Sequence, residues 1–387
     1  MLAAQAAIAV ALLSAAAVFG EHFVRLVRID PGFHTEGVLT AQLTLPLSGY
    51  PDADRQRQFF DNLVNALKGS QVFDRVARVN HLPLVDEYAG VQLRVLRTSE
   101  TTDTLVDAEL RLISDGYFEA LELPIVRGQA FTDADSRKSA PVVVVNTTFA
   151  ERHLGGLGVG AVLVFNNRNW QVVGVVADSK EQSLIEAAKP VIYCPVHQFT
   201  QFGAGLRSAR TGLIVRSRAP LSVQVDALRQ ALRRLDPRLP LYDVMTLDGR
   251  LARLLAPSRF YTLLIGAFGL CALILAALSV YSVTSYLAER RTQEIGVRMA
   301  VGANRSEIVR LLLRDGMLPL VIGVGAGLVL AVWTDSLLRG TVEGIRPLQA
   351  RDVLAATAAS LVAGFVGSSI PAYRAARVDP ITALRTE

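Results

Sequence analysis

FYTLLIGAFGLCALILAALSVYSVTSYLA, residues 260–288, runs for 29 residues without an Asp, Glu, Lys or Arg. An apolar helix of about 20 residues spans roughly 30 Å of hydrocarbon, so this stretch is long enough to cross a bilayer. Three further windows share its character, at 1–20, 316–334 and 353–373. The whole chain follows suit: 51% of its 387 residues are apolar, 19% are charged, and the mean hydropathy is +0.34. Soluble domains carry about 25% charged residues. The composition therefore excludes a soluble enzyme, a nucleic-acid-binding domain and a disordered scaffold as descriptions of the whole chain, and no nucleic-acid partner is expected.

The charges fall between the windows. Residues 21–259 are nearly neutral at +2, and 335–352 balances, whereas the short segments 289–315 and 374–387 hold nine arginines in 41 residues. Lys and Arg in short loops mark the cytoplasmic side. Four crossings place both Arg-rich segments on that side with the N-terminus, and leave 21–259 and 335–352 outside. No Lys or Arg precedes the first window, which sets it apart from a secretory signal. Such a start is expected of a truncated sequence or of one half of a longer chain.

The outer segment reads as two interleaved pieces. Residues 38–45 form a strand pattern, 51–68 a helical one with Phe59, Leu63, Ala66 and Leu67 at helical spacing, and 72–79 a second strand. The order recurs as strand 212–216, helix 221–235 and strand 240–245. Two such units suggest a split α+β sandwich of ferredoxin-like type, with residues from about 83 to 205 inserted between them. The insertion is mostly strands, at 91–96, 107–113, 141–146, 162–166, 170–176 and 191–195, interrupted by short helices near 114–121 and 147–154. Residues 107–113 alternate, as in a half-buried sheet, while 141–145 are continuously apolar and read as a central strand.

No catalytic constellation, metal site or cofactor site is expected. There is no G-x-x-x-x-G-K-[ST] motif, and Gly155, Gly156, Gly158 and Gly160 lead into a strand rather than a helix. The five histidines show no metal-binding spacing. Ser179 and Ser183 lie near Asp178 without a nearby histidine. Asp133 and Asp135 read as turn residues, Asn146-Thr147-Thr148 matches a glycosylation sequon, and Cys194 and Cys271 fall in different compartments and cannot pair.

Residues 289–316, ERRTQEIGVRMAVGANRSEIVRLLLRDG, form the most informative connection. Residues 288–300 continue the helical pattern of the second span, Gly302 suits a helix end with positive φ, and Asn304 with Glu307 forms a capping box opening the next helix. The result is a compact helix–turn–helix displaying Arg290, Arg291, Glu294 and Arg298 within two turns. Two readings stand at this point: a solvated charged face, or a docking surface for a soluble partner. The spans hold no ionisable residue, so no proton relay or ion pathway of the usual kind is expected. Gly323-x-x-x-Gly327 offers a small-residue face for close helix packing.

Three motifs then carry a resemblance. RRTQEIGVRMAVGAN (290–304), the C-terminal PAYRAARVDPITALRTE (371–387) and DGYFEALELPIVRGQAFTDAD (115–135) resemble the MacB/FtsX-like permeases of ABC transporters, in particular the second halves of duplicated acidobacterial orphan permeases. The resemblance covers essentially the whole chain. It implies an α+β membrane protein of the bacterial inner membrane, with four transmembrane helices and a large periplasmic domain between helices 1 and 2. That domain would comprise a porter-like part (38–82 and 206–248) and the β-rich insertion (83–205). An FtsX-like permease domain would cover 260–380, with a coupling hairpin at 289–315. The implied mechanism is mechanotransmission, in which ATP binding to a separate cytoplasmic ABC ATPase subunit closes a permease dimer and moves the periplasmic domains. Carried onto this chain, Arg290, Arg291, Glu294, Ile295 and Arg298 lie at or beside the ATPase contact. The other implied partners are a second permease half or a homodimer mate, a periplasmic adaptor and membrane lipid. The implied activity is export, or extraction from the membrane, of an apolar or amphipathic substrate. The alternative is a signalling scaffold that activates a periplasmic partner without transport.

Overall fold

The structure is a computed structural model that describes residues 1–85, 90–96, 105–132, 135, 139–156, 158–181, 183–198, 208–300, 304–341 and 344–375. In chain order it begins with helix α1 (Leu2–Arg28), strand β1 (Val38–Pro46), helix α2 (Ala53–Lys68) and strand β2 (Arg75–Val79). There follow β3 (Gly90–Leu96), β4 (Leu105–Ile113), α3 (Tyr117–Leu121), β5 (Ile125–Gly128), β6 (Val142–Asn146), α4 (Thr147–Leu154), β7 (Val162–Phe165), β8 (Arg168–Val176) and β9 (Val191–Pro195). The chain continues through β10 (Ser208–Arg216), α5 (Leu221–Leu235) and β11 (Leu241–Thr246) to α6 (Leu247–Arg290), α7 (Thr292–Ala300), α8 (Arg305–Thr341) and α9 (Ala350–Ala375). Residues 1–28 with 255–387 make one compact unit, and residues 29–254 make the other.

In the helical unit, α1, α6, α8 and α9 are long and apolar enough to cross a membrane. Lipid tails are as apolar as leucine, so apolarity does not draw such helices together; close backbone contact does. The α1–α8 pair shows that contact. A Cβ on Gly323 would fall 2.4 Å from the Ala3 carbonyl oxygen and 2.7 Å from the Ala6 Cβ. One at Gly327 would fall 2.8 Å from the Val10 Cβ and 2.9 Å from the Ala7 carbonyl oxygen. The two glycines are four residues apart and so share one face of α8, while alanines supply the facing surface of α1. Helix α1 continues to Arg28, beyond the charge-free window, with His22 and Leu26 still on its buried face and Arg25 and Arg28 in its last turn.

Charges close the outer end of this unit. The Arg346 guanidinium donates to both carboxylate oxygens of Asp352, at 2.6 and 2.8 Å, and lies 2.6 Å from Glu21 of α1. Arg351 also pairs with Glu21, and Asp335 of α8 accepts the Leu348 amide at 3.0 Å. Bidentate Arg–carboxylate geometry fixes direction as well as distance, so the loop before α9 is tied to α1 and α8.

The second unit is built on an antiparallel sheet in the order β11-β1-β10-β2, the ferredoxin-like arrangement in which β10 separates β1 from β2. Helices α2 and α5 cover one face. Asp52 caps α2 by accepting the Arg55 amide at 2.7 Å, and Phe59, Phe60, Leu63 and Leu67 then face Leu228, Ala231 and Leu232 of α5 over the sheet. The segment between β2 and β10 folds as a closed barrel. Neighbour follows neighbour around β4-β3-β7-β8-β6-β9, and β9 pairs back to β4. Its interior is filled by one face of each strand, including Leu93, Leu110, Val143, Leu163, Trp170 and Ile192. A single bridge, Val79 to Ile113, joins barrel to sheet, and a further core including Ala77, Val79, Ile113, Tyr117, Val144 and Tyr193 fills the seam.

Two strand expectations change. Residues 107–113 are not half-buried: from Ala108 onward every residue of β4 is buried. The barrel takes one face, and the seam takes the other, where Glu109 and Arg111 meet partners rather than water. Strand β5 was not anticipated; it pairs with β8 and is mostly exposed, so it lacks the apolar alternation that marks a strand.

Replacing Gly323 with valine should force α1 and α8 apart and lower stability by about 1–3 kcal/mol, the usual cost of overpacking. The measurement is the melting midpoint of the detergent-solubilised chain. Gly325→Val, where a Cβ meets nothing within 4 Å, is the matched control and should shift it far less.

Candidate functional site

The connection between α6 and α8 is held by its own apolar underside. Ile295 of α7 is 4% exposed and packs with Ala288, Ile308, Leu312 and Ala372. One short helix therefore rests on the end of α6, the start of α8 and the end of α9 together. Sequence reasoning placed Ile295 at or beside the partner contact; in the structure it is buried and seats α7.

The charged residues lie around this anchor. Arg290, the last residue of α6, is exposed, and its guanidinium carbon stands 4.9 Å from the centroid of the Tyr286 ring. Such stacking contributes about 0.5–1 kcal/mol at an exposed site and fixes the direction of the side chain. Arg291 lies in the turn between helices and donates to Asp315 of α8 at 2.6 Å, with Glu294 at 3.9 Å. Glu294 also pairs with Arg298 at 2.6 Å, one turn along α7, and both side chains are about half exposed. Arg298 and Glu294 thus form a charged ridge, with Arg290 at one end. Gly323 and Gly327 lie on α8, in the backbone contact with α1 described above.

The helix does not run unbroken from 288 to 300. It stops at Arg290 and restarts at Thr292. The Thr292 hydroxyl donates to the carbonyls of Ala288 and Glu289, at 3.0 and 2.8 Å, and a side chain bonding to the preceding turn bends a helix. Gly302 and the C-terminal residues 376–387 lie outside the described residues. The Asn304 carbonyl accepts the amides of Glu307 and Ile308 as α8 begins. Tyr286 and Asp315, which orient Arg290 and Arg291, were not singled out from the sequence; an arginine four residues after an aromatic was the only local sign of the first.

The outer domain holds a second cluster that sequence reasoning missed. Arg111 is 1% exposed and donates to the His81 carbonyl at 3.1 Å, with Glu181 at 3.4 Å and Glu109 at 3.5 Å. Glu181 in turn accepts from Ser179, Tyr117 and Tyr193. Burial pushes the Glu109 carboxyl above its ordinary value of 4.5; Arg111 opposes this, Glu181 adds to it, and one carboxylate oxygen has no hydrogen-bond partner. No group of three or more potential metal ligands occurs among the described residues.

Other candidates resolve locally. The Asn146 side chain caps α4 and donates to Asp178 and the Lys189 carbonyl, so the sequon amide is engaged inside the fold. Gly155 ends α4 with positive φ, and Gly156, Gly158 and Gly160 also have positive φ, as tight turns require. Asp135 accepts the Thr132 amide and hydroxyl, and Asp133 lies outside the described residues.

Comparison with known proteins matches both units. The profile of the MacB-like periplasmic core domain fits residues 6–235, and that of the FtsX-like permease C-terminal domain fits 266–380. The macrolide export ATP-binding/permease protein MacB of Hahella chejuensis is 27% identical over 287 residues, which is 73% of this chain and 43% of that protein. The probable syringafactin export ATP-binding/permease protein SyfD of Pseudomonas syringae pv. tomato is 30% identical over 320 residues, 80% of this chain and 46% of that one. This chain thus spans less than half the length of either relative. The crystal structure of the periplasmic region of MacB from Actinobacillus actinomycetemcomitans covers 58% of this chain and 94% of its own, at 18% identity and a TM-score of 0.40. These matches and the four apolar helices describe a multi-pass inner-membrane protein with a periplasmic domain.

Two outcomes are expected. Ile295→Ala should loosen α7, costing about 2–5 kcal/mol as a large-to-small core change does, and should speed tryptic cleavage after Arg298 in inside-out membranes. Val297→Ala, at an exposed position of the same helix, should not. For Glu109 the native carboxyl holds its proton to higher pH than the unfolded one. Its contribution to stability is therefore present below the ordinary value and lost as pH rises through the raised one. Denaturant midpoints measured from pH 4 upward should fall less for Glu109→Gln than for the parent.

Proposed function

We propose a function that starts from one fact: the chain belongs to the family of permeases that join a MacB-like periplasmic core domain to an FtsX-like permease domain. It acts as the membrane component of an ABC-type exporter, and a cytoplasmic ATPase drives it from outside this chain. The ATPase docks on the α6–α7–α8 hairpin through Arg290, Arg291, Glu294 and Arg298. The observation that carries this reading is the seating of α7 by Ile295 against three helices of the membrane unit. A load applied to the charged ridge reaches α6, α8 and α9 at once, as mechanical coupling requires. The chemistry of ATP belongs to the partner, and the spans have no ionisable residue in their charge-free windows to conduct ions.

The relatives' names support export as the activity: they are named as macrolide, pyoverdine and syringafactin export proteins. For this chain the reading is export, or extraction from the membrane, of an apolar or amphipathic substrate. The working assembly pairs the chain with a second permease half or a second copy, and a periplasmic adaptor receives the cargo.

The test separates docking from folding. The double substitution Glu294→Arg with Arg298→Glu keeps an ion pair within α7 but reverses the sign of each end presented to a partner. Pull-down of the cognate ATPase from membranes should fall at least about tenfold, equal to roughly 1.4 kcal/mol. Undiminished capture by this variant would overturn docking through the ridge.

A further inference from the structure

Arg310, Arg314, Leu318, Val321, Gly325 and Val329 recur along α8 at steps of four or three residues, so they share one face of the helix. All six are exposed, and a Cβ on Gly325 would meet nothing within 4 Å. The packed side of α8 is the other one, where Leu320, Val324 and Ala331 are buried and Gly323 and Gly327 meet α1. Within the helical unit the six-residue face therefore looks outward, toward hydrocarbon along most of its length and toward the cytoplasmic headgroups at Arg310 and Arg314.

Two markers fix that depth. From Arg314 to the exposed Trp333 the helix rises about 28 Å, close to the thickness of a hydrocarbon layer, and an aromatic residue suits its outer rim. On α9, Ala372 packs with Ile308 and Leu312, so the exposed Tyr373 and Arg374 lie level with Arg310, another aromatic and cation at the membrane surface. The hairpin arginines nearby are engaged: Arg291 by Asp315, Arg298 by Glu294, and Arg290 over the Tyr286 ring. The side chains of Arg310 and Arg314 make no ion pair or hydrogen bond among the described residues. Glu307, the nearest carboxylate behind them on this face, pairs with neither, and it stands about 10 Å back along the axis from Arg314. Two guanidinium groups one helical turn apart, without a counter-charge, complement a phosphate, and the apolar face beyond them complements an acyl chain. A second copy on this face would bring more arginine and no counter-charge.

We propose that this face of α8 binds an anionic phospholipid of the cytoplasmic leaflet, with its phosphate between Arg310 and Arg314 and an acyl chain along Leu318, Val321 and Gly325. A zwitterionic lipid carries its own cation beside the phosphate and gains less from the pair. The lipid sets the depth of α8 in the bilayer, and with it the level of α7, which Ile295 seats against Ile308 and Leu312 of the same helix. Such a site needs only that α8 crosses the membrane, so it stands apart from export and from ATPase docking.

Native mass spectrometry of the full chain, released from dodecyl maltoside micelles holding equal amounts of phosphatidylglycerol and phosphatidylcholine with matched chains, provides the test. A bound phosphatidylglycerol is expected to be favoured over phosphatidylcholine by at least about tenfold. Arg310→Gln and Arg314→Gln should each weaken its retention at least about fivefold. Arg305→Gln removes the same charge from the other side of α8 and should leave retention unchanged. Glycerol phosphate and hexaglutamate, added at the concentration of the lipid, should not displace it. Equal retention of the two lipids overturns the proposal. An Arg305→Gln loss as large as that of Arg314→Gln makes the attraction a diffuse one. Displacement by glycerol phosphate makes the pair a plain anion site, and displacement by hexaglutamate makes it a contact for an acidic protein; each of these three also overturns the lipid site. The measurement needs no ATPase, so its failure leaves the hairpin docking standing, and failed ATPase capture leaves the lipid site standing.

Discussion

A chain that crosses hydrocarbon must bond its backbone within each crossing and keep its charges in the connections. Almost everything else here follows from that constraint. The four windows are free of ionisable groups, and the helices between them are held by proximity rather than by apolar attraction, with Gly323 and Gly327 set against Ala3, Ala6 and Ala7. Charge excluded from the spans is concentrated at their ends and put to structural use. Outside, Arg346 ties Glu21 to Asp352; inside, Arg291 ties the turn after α6 to Asp315 of α8. Each pairing fixes which helices are neighbours without a charge entering the bilayer.

The parts of this fold governed by local periodicity were legible. Helix α5 begins and ends where its apolar spacing does, and residues 191–195 form a strand with those limits. The spans were legible for the same reason: hydrocarbon imposes one composition over a whole helix. What escaped was set by partners distant in sequence. Glu109 and Arg111 alternate with apolar residues as a solvent-facing row does, and only the seam between barrel and sheet makes them buried. Tyr286 under Arg290 left one local sign, Asp315 opposite Arg291 left none, and the break at Arg291 coincides with a threonine hydroxyl bonded to the preceding turn.

Buried charge in the outer domain is weak evidence of stability, because desolvation offsets most of the attraction between the partners. Its value at the seam is directional. Arg111 reaches Glu109 on its own strand, Glu181 beyond β8 and the His81 carbonyl after β2. An apolar seam of equal area would tolerate sliding of barrel against sheet; a guanidinium bonded to the His81 carbonyl and to Glu109, with the Glu181 carboxylate 3.4 Å away, tolerates much less. The Val79–Ile113 bridge is a single pairing, so this network and the apolar core around Tyr117 and Tyr193 set the registration of the two parts.

The position of β10 has a consequence for biogenesis. It lies between β1 and β2, yet it follows β2 by well over a hundred residues, and among the described residues β1 pairs with β10 and β11 alone. As the segment emerges on the outer side of the membrane, the two strands that arrive first have no partners to complete their ladders. The barrel strands β3 to β9, contiguous in sequence, can close meanwhile. Long-range pairing is slow because the intervening loop must be ordered first, and here the barrel shortens that loop by folding inside it. The inserted barrel thus does for the sheet what a tether would: it brings the late strand to the gap that the early ones left open.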